Sequence, residues 1–161
     1  MKKDTVFDLR AVLRQKPSAK ADIVGNSDHP NLNGTVLFFQ TDIGCVVAAE
    51  VNGLPSPVGK CESPILGFHI HTGASCDGTE SDPFAGAGTH YDPRQCPHPY
   101  HAGDLPPLFV CGGYALSIFL TDRFSAYEII GKTVVIHSDP DDFTSQPSGN
   151  AGTKIACGKI I

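Results

Sequence analysis

The chain has 161 residues, 40% hydrophobic and 18% charged, which predicts one domain able to bury a core without metals or disulfides. A formal net charge of −5 without any basic run argues against nucleic acid as a partner. No apolar run approaches the ~18 residues that a membrane-spanning helix needs, so no membrane partner is expected. The 17 glycines and 13 prolines are many for a helical protein but natural for strands joined by turns and long loops.

The cysteine content and the N-terminal segment point to different compartments. Six cysteines are many for a protein of a reducing cytosol, and the even number permits up to three disulfides. The N-terminal segment, MKKDTVFDLRAVLRQKPSAKAD, contains no apolar stretch of roughly 7–15 residues of the kind that marks a secretory signal. The missing signal slightly favours the cytoplasm, the cysteines suit an oxidising compartment, and the compartment stays open.

The first elements in chain order are an extension and the start of the domain. Residues 1–17 are expected to be an N-terminal extension, and residues 18–161 the folded domain. Residues 4–16 could form a short helix that ends at Pro17, with a frayed tail as the alternative. Its N-cap would be Asp4 or Thr5, and its apolar face would consist of Val6, Leu9 and Leu13.

From Ser18 onward, short runs of β-branched and aromatic residues between turn-forming residues predict strands. The predicted strands are residues 19–24, 34–39, 45–51, 65–71, 114–121, 132–137 and 154–161. The segment FSAYEIIG, which links the fifth and sixth, could make one helical turn. Seven or eight short strands without helical spacers predict an all-β, immunoglobulin-like Greek-key sandwich or barrel of about eight antiparallel strands.

Two long loops, residues 72–109 and 139–149, interrupt the strand pattern. Unstructured loops of more than about 15 residues in a compact domain are usually functional or disordered. The stretch from His69 to Asp104, which includes most of the first loop, holds five of the seven histidines. These histidines indicate that the first loop is functional and not merely disordered.

The histidines fall into two sets that suit metal ions. His69 and His71 lie two apart on a predicted strand, so both rings share one face and can reach a single ion. Alone, such a pair is more often structural. The second set consists of His90, His98, His101 and Asp104. Three imidazoles and a carboxylate suit tetrahedral zinc, and a solvated polar loop is the alternative.

Five short segments carry a resemblance to a known family. In chain order they are GFHIH, AGTHYDP, HAGDLP, GKTVVIH and NAGTKIACG. Together they resemble the copper–zinc superoxide dismutase family, over residues from about Ser18 to the C-terminus, and the early position of Cys76 is similar to bacterial members. The resemblance implies dismutation of superoxide to dioxygen and hydrogen peroxide at a redox-cycling copper that His90 bridges to zinc. It implies one copper and one zinc per chain, the superoxide anion as partner and a homodimer as one option.

The resemblance also implies roles for individual residues. The copper ligands would be His69, His71, His90 and His137, and the zinc ligands would be His90, His98, His101 and Asp104. His90 would be catalytic, because its counterpart in the family leaves copper on reduction and takes up a proton. Asp141 would hydrogen-bond to ligands of both metals, and Cys76 and Cys157 would form the disulfide within the subunit.

The zinc-ligand segment departs from the family pattern. Only two residues separate His98 from His101, which requires a tightly folded zinc loop and weakens the zinc assignment. Cys96 and Cys111 flank this segment, so their positions alone suggest a disulfide that clamps it. The spacing of Cys45 and Cys61 does not decide whether they are paired or free.

Lys154 stands where the family usually has an arginine, at the mouth of the copper channel. A lysine keeps the positive charge but lacks the planar fork of donors. We therefore expect Lys154 to attract the anion in catalysis, with reduced activity, and Arg94 is a second candidate source of positive charge.

Three other functions remain possible for these residues. The main alternative is a copper- and zinc-binding carrier or storage module on the same fold, without significant turnover. Zinc-dependent hydrolysis fits less well because a closed four-ligand site leaves no position for water. A blue-copper electron carrier usually needs an axial methionine, and Met1 is the only one.

Overall fold

The computed structural model describes residues 7–56, 59 and 64–161, and within these residues it contains nine strands and one short α-helix. The helix is α1 (Leu9–Leu13). The strands are β1 (Ala19–Gly25), β2 (Asn33–Thr41), β3 (Gly44–Asn52), β4 (Ile65–Leu66), β5 (Phe68–His71), β6 (Leu108–Phe109), β7 (Tyr114–Thr121), β8 (Thr133–His137) and β9 (Lys154–Lys159).

Seven of these strands form one antiparallel sheet in the order β5-β8-β9-β1-β2-β3-β7, while β4 and β6 form a small second sheet. Neighbours such as β3 and β7, or β1 and β9, are distant in sequence, so the chain crosses between the sheet's ends. One core joins side chains from every strand of the large sheet, with Leu66 and Leu108 from the small one. The sheet therefore curls around a single core, which confirms the expected all-β Greek-key fold.

The alternation of apolar and polar residues produces this core. On β1, Ala19, Ala21 and Ile23 are buried, whereas the alternate residues Asp22 and Val24 are exposed. Alternate strand residues point to opposite faces, so one face packs inward and the other meets solvent. Strand β8 is different because it is buried throughout, which means that another part of the chain covers its outer face.

The long loop covers that outer face. Val134 and Ile136 of β8 face the main core, but Val135 packs in a second cluster with Phe84 and Ala87 of the loop and with Cys157. Ala85–Ala87 form a short 3-10 turn within this loop. The covered face of β5 and β8 is therefore a protected place for polar side chains.

Two predicted elements differ in the structure. The predicted strand 65–71 is split at Gly67, whose N–H donates to the carbonyl of Asp139 rather than to a sheet partner, so β4 and β5 join different sheets. The segment FSAYEIIG makes hydrogen-bonded turns instead of a helical turn.

The N-terminal helix is shorter than predicted and begins later. Its N-cap is Asp8, whose carboxylate accepts from the N–H groups of Arg10 and Ala11, because these donors have no partner inside the helix. Its buried residue is Val12, which packs on Phe39 and Val46 on the outside of the sheet. The predicted face residue Leu9 is exposed, which corrects that prediction. The proposed caps at residues 4 and 5, and Val6, lie outside the described residues.

Candidate metal centre

The first histidine set stands on two neighbouring strands. On β5, Phe68 and Ile70 point into the core, so His69 and His71 point to the opposite face, under the long loop. His137 ends β8, which pairs directly with β5. The register of the β8–β9 pairing shifts between Ile136 and His137. Such irregularities, like β-bulges, are common next to active sites, where they redirect a side chain. The three side chains therefore meet on one protected face.

Backbone hydrogen bonds bring two loop residues to the same face. His90 and Asp104 form isolated bridges with His71 and His69, respectively. The N–H of Tyr91 donates to the carbonyl of Ile70 at 2.8 Å, and the N–H of Ile70 donates to the carbonyl of Gly103 at 2.9 Å. Two segments of the loop thus line the edge of β5 that is not paired with β8, and backbone hydrogen bonds hold their ligands in place.

His69, His71, His90 and His137 form a buried set whose ligand atoms all lie within 4.8 Å of one another. The Nε2 atoms of His71 and His137 are 3.3 Å apart. The Nδ1 atom of His71 lies 2.8 Å from the carbonyl of Gly88, which favours the tautomer with a free lone pair on Nε2. These rings present lone pairs to one shared point.

His90, His98, His101 and Asp104 form a second buried set of the same tightness. His90 Nδ1 lies 2.7 Å from Asp104 Oδ1. The Nδ1 atoms of His98 and His101 lie 3.0 and 3.3 Å from Asp104 Oδ2 but lack hydrogen-bond geometry. Close approach without a hydrogen bond is the arrangement expected of ligands around one cation. His90 belongs to both sets because its two ring nitrogens face opposite ways.

Asp141 contacts one histidine of each set. Its Oδ2 atom lies 2.7 Å from Nε2 of His69, and its Oδ1 atom lies 2.9 Å from Nε2 of His98. Phe143 N–H donates to the same carboxylate at 2.7 Å. Gly149, with φ of 69°, passes so close that a Cβ atom there would collide with Asp141 and His98. One carboxylate therefore orients a ring of each set.

Two further residues hold the compressed zinc-ligand segment, and the sequence reasoning missed both. Gln146 accepts from the N–H of His98 and donates to its carbonyl, at 3.0 and 2.7 Å. Arg123 donates from one guanidinium nitrogen to three carbonyls of this segment, those of Pro99, His101 and Asp104, at 3.0–3.2 Å. No sequence motif marked either residue, because only the fold brings them to the loop.

Burial and neighbouring charges shift the pKa values of this centre. Burial lowers the pKa of His71 to about 2 and that of His137 to about 3, and it also lowers the pKa of His69. Burial alone would raise the pKa of Asp141, but hydrogen bonds from His69, Phe143 and His98 outweigh it and the pKa falls below its ordinary value. These shifts keep the three rings neutral and the carboxylate ionised, as metal binding requires.

Cys76 and Cys157 form a disulfide between the long loop and β9, with Cα atoms 5.7 Å apart. The expected pair of Cys96 and Cys111 is not formed, because both are free. Cys111 lies just before β7, whereas the zinc-ligand segment, which follows Cys96, contacts Arg123 just after β7. The eight residues of β7 span ~25 Å, so the two cysteines lie toward opposite ends of this strand. Cys45 is free and buried, and Cys61 lies outside the described residues.

An open cavity leads to the centre, and Lys154 forms part of its wall together with His71, His90 and His137. Lys154 begins β9, and its backbone lies opposite that of His137 in the antiparallel pairing of β8 with β9. Its ammonium nitrogen binds both carboxylate oxygens of Asp82, so its charge is not free. Arg94 is exposed and is not among the residues that line the cavity.

The residues of both sets fit metal ions. Four buried ring nitrogens have no hydrogen-bond partner among the described residues: Nδ1 of His69, Nε2 of His90, Nδ1 of His98 and Nδ1 of His101. Buried polar atoms normally have hydrogen-bond partners, so ring nitrogens without a partner in these two sets are suited to bind metal ions. Imidazole and carboxylate donors suit copper and zinc.

Comparisons with known proteins agree with this centre. The family described as copper/zinc superoxide dismutase (SODC) matches residues 32–160. The superoxide dismutase (Cu-Zn) of Deinococcus radiodurans is 32% identical over an alignment of 161 positions, gaps included, which covers 89% of this chain and 84% of that protein. That of Photobacterium leiognathi is 33% identical over 141 residues, or 79% of this chain and 78% of that protein. A solved SOD-like protein from Bacillus subtilis matches with a TM-score of 0.69 and 28% identity, over 86% of this chain and 95% of that one.

The chain therefore belongs to the copper/zinc superoxide dismutase family. Membership confirms the expected enzyme class, a superoxide dismutase of the copper–zinc type, and implies copper and zinc as cofactors. Among the residues described, no helix is long and apolar enough to cross a membrane.

Proposed function

We propose that this chain dismutates superoxide at one copper and one zinc that share His90. Copper would be held by His69, His71, His90 and His137, and zinc by His90, His98, His101 and Asp104. The observation that carries the proposal is the shared position of His90, whose Nδ1 faces Asp104 while its Nε2 is buried without a partner among the described residues.

The residues of the centre have separate tasks in this proposal. Bound copper would supply one-electron chemistry by cycling between Cu(II) and Cu(I), whereas zinc has no such chemistry. His90 would hold and release a proton at Nε2, because its Nδ1 side is fixed by Asp104. Asp141 would keep His69 and His98 in one orientation through its two oxygens. Two protons are needed for each hydrogen peroxide formed, so a proton store beside the reacting oxygen is useful.

The cavity supplies the route for the superoxide anion. Lys154 lies in its wall beside the ligands, so it is placed to attract an anion despite the net charge of −5. Lysine offers no planar fork, and we propose that turnover is lower than with arginine at this position.

A carrier or storage module for copper and zinc is the second candidate. The observation that favours it is the ion pair of Lys154 with Asp82, at 2.8 Å, because a neutralised lysine attracts anions weakly. The open cavity beside three of the proposed copper ligands, His71, His90 and His137, favours the enzyme instead.

Superoxide decay in the presence of the metal-loaded protein separates these functions. We expect decay much faster than in buffer after loading with both metals, and loss of the effect in His71→Gln, which removes a copper-set nitrogen. His29→Gln is the matched control, since His29 lies away from both sets. Decay at the buffer rate with both metals bound would favour the carrier, and one copper without zinc per chain would contradict the two-metal centre.

We also propose that the protein works where disulfides persist. Cys76 and Cys157 are paired, and the 30% identical mouse relative is named an extracellular superoxide dismutase. Mass analysis of protein taken from its native cells under thiol-blocking conditions tests this. A reduced pair would contradict the proposal.

A further inference from the structure

Asp82, on the long loop, binds Lys154, which forms part of the wall of the copper-side cavity. The ammonium nitrogen of Lys154 lies 2.8 Å from Oδ1 and 2.9 Å from Oδ2 of Asp82. The lysine side chain is 17% exposed and the aspartate side chain 49%. The ion pair is thus shielded on the lysine side and open to solvent on the aspartate side.

The position of Asp82 is fixed by the loop that carries it. Its N–H donates to Thr79 Oγ1 at 3.1 Å, and its carbonyl accepts from the N–H groups of Thr79 and Ala85. Two residues later, Phe84 is buried against Val135. The same loop is joined to β9 by the disulfide of Cys157, three residues after Lys154. The fold therefore holds both partners of the ion pair in place.

The pair changes what Lys154 offers to an anion. An ammonium group has three N–H donors, and two carboxylate oxygens engage it here, which leaves few donors free. A lysine paired at this distance presents a dipole instead of a full charge, and the field of a dipole falls off faster with distance. Asp92, which also lines the cavity, adds negative charge.

We propose that Asp82 is a positioning residue that holds Lys154 against the cavity wall, masks its charge and thereby sets the affinity of the copper site for small anions. For the substrate this inference rests on the proposed dismutase function, since superoxide would be the anion concerned. Asp82 acts through Lys154 and does not touch the reacting atoms. It explains how a lysine at this place is kept beside the site without binding anions tightly.

Azide binding to the copper- and zinc-loaded protein tests the proposal without turnover. Azide is a small anion, and its binding to copper is followed by visible absorption. At low ionic strength we expect Asp82→Asn to tighten azide binding about three- to ten-fold, because the lysine charge is unmasked. Asp77→Asn is the matched control: it removes the same charge from the same loop, its side chain forms no ion pair among the described residues, and it is exposed. We expect it to change binding less than two-fold.

The Lys154→Ala background isolates the interaction. There, Asp82→Asn should tighten azide binding clearly less than it does beside Lys154, because only the direct effect of the removed carboxylate charge remains. A second measurement uses metal-free protein: acylation of the Lys154 amine, read by peptide mass analysis, should be several-fold faster in Asp82→Asn than in wild type or in Asp77→Asn.

Equal azide affinities in Asp82→Asn and wild type, equal effects of Asp82→Asn and Asp77→Asn, or an effect of undiminished size in Lys154→Ala would each overturn the proposal. Failure of the dismutase function is a separate result: it would show as slow superoxide decay while the azide and acylation differences remain.

Discussion

Arg123 is the residue that lets the short zinc-ligand segment keep its shape. Half-buried, it places one nitrogen within 3.0–3.2 Å of three carbonyls on both sides of His101. A charged donor to buried carbonyls is stronger than a neutral one. The clamp expected from Cys96 and Cys111 is thus supplied by a guanidinium instead.

Arg123→Ala should weaken zinc binding about ten-fold or more, because partners that orient ligands typically contribute this much to metal affinity. Competition with a chromophoric zinc chelator measures the effect. Arg94→Ala is the control, since Arg94 is an exposed arginine on the long loop that carries the zinc-ligand segment. Equal affinities in the two variants would show that Gln146 and the backbone suffice.

Lys154→Ala should slow superoxide turnover about three- to ten-fold at low salt and reduce its dependence on ionic strength, because loss of the lysine leaves the negative charge of Asp82 uncompensated beside the cavity. Stopped-flow decay at several salt concentrations measures both. Lys20→Ala is the control for a surface lysine that also pairs with an aspartate. An unchanged rate and salt slope would show that anion attraction comes from elsewhere.

The stability of the metal-free protein should fall as the pH falls below about 6.5. Burial lowers the folded-state pKa of His71 to about 2 and of His137 to about 3, so in the window between these values and 6.5 the unfolded chain binds protons that the folded chain does not. Stability from these groups is complete above pH 6.5 and is lost on acidification, by up to about 1.4 kcal/mol per pH unit for each histidine. Urea unfolding between pH 7 and 4 tests this, and His71→Gln should show a shallower slope. A pH-independent midpoint would contradict the inferred neutral rings.

At the scale of elements, the long loop acts as a wall of the centre because it is anchored at several points. The disulfide of Cys76, the buried Phe84 and the backbone bonds of Tyr91 and Gly103 to β5 hold it along its length. A loop with so many anchors loses little further entropy when the metals bind. This is why ligands from a loop and from strands can form one centre.

Replacing Cys76 and Cys157 together by serine should lower the free energy of unfolding by roughly 4 kcal/mol, since the disulfide closes a loop of 81 residues in sequence separation. Urea unfolding of the metal-free variant and wild type measures the difference. Cys111→Ser, at an exposed free cysteine, should leave the midpoint unchanged. A loss below 1 kcal/mol would mean that the unfolded chain is already compact around this link.

At the scale of the whole molecule, one end of the sheet stays open. Strand β7 is an edge strand, and its outward residues Leu116, Ile118 and Leu120 are 61%, 41% and 43% exposed. Exposed apolar strips on edge strands mark contact surfaces more often than isolated apolar residues do. The homodimer stays a prediction, and this strip is where we expect the two copies to meet.

Ile118→Lys should convert the dimer to a monomer, because a charge in the middle of the strip cannot be buried without a partner. Sedimentation velocity at micromolar concentration measures the change. Ile161→Lys, at an exposed apolar residue elsewhere, should leave the dimer intact. A wild-type protein that sediments as a monomer would refute the dimer itself.

The sequence alone was sufficient for the fold class and for the residues that the two sets contain. Period-two alternation reports which face of a strand is buried, and it is local, so it indicated the strands and the shared face of His69 and His71. Spaced histidines in a Gly- and Pro-rich loop report metal-binding chemistry, which is also local. The family-like segments added His137 and Asp141, which lie far along the chain.

Only the tertiary structure decided how the centre is held together. The masking of Lys154 by Asp82, the carbonyl clamp of Arg123, the contacts of Gln146 with His98 and the separation of Cys96 from Cys111 all join residues that are distant in sequence. Such pairings depend on sheet order and loop path, and spacing along the chain does not encode them. The start of α1 at Leu9 was set in the same way, because the packing of Val12 on Phe39 outweighed the apolar pattern of the isolated segment.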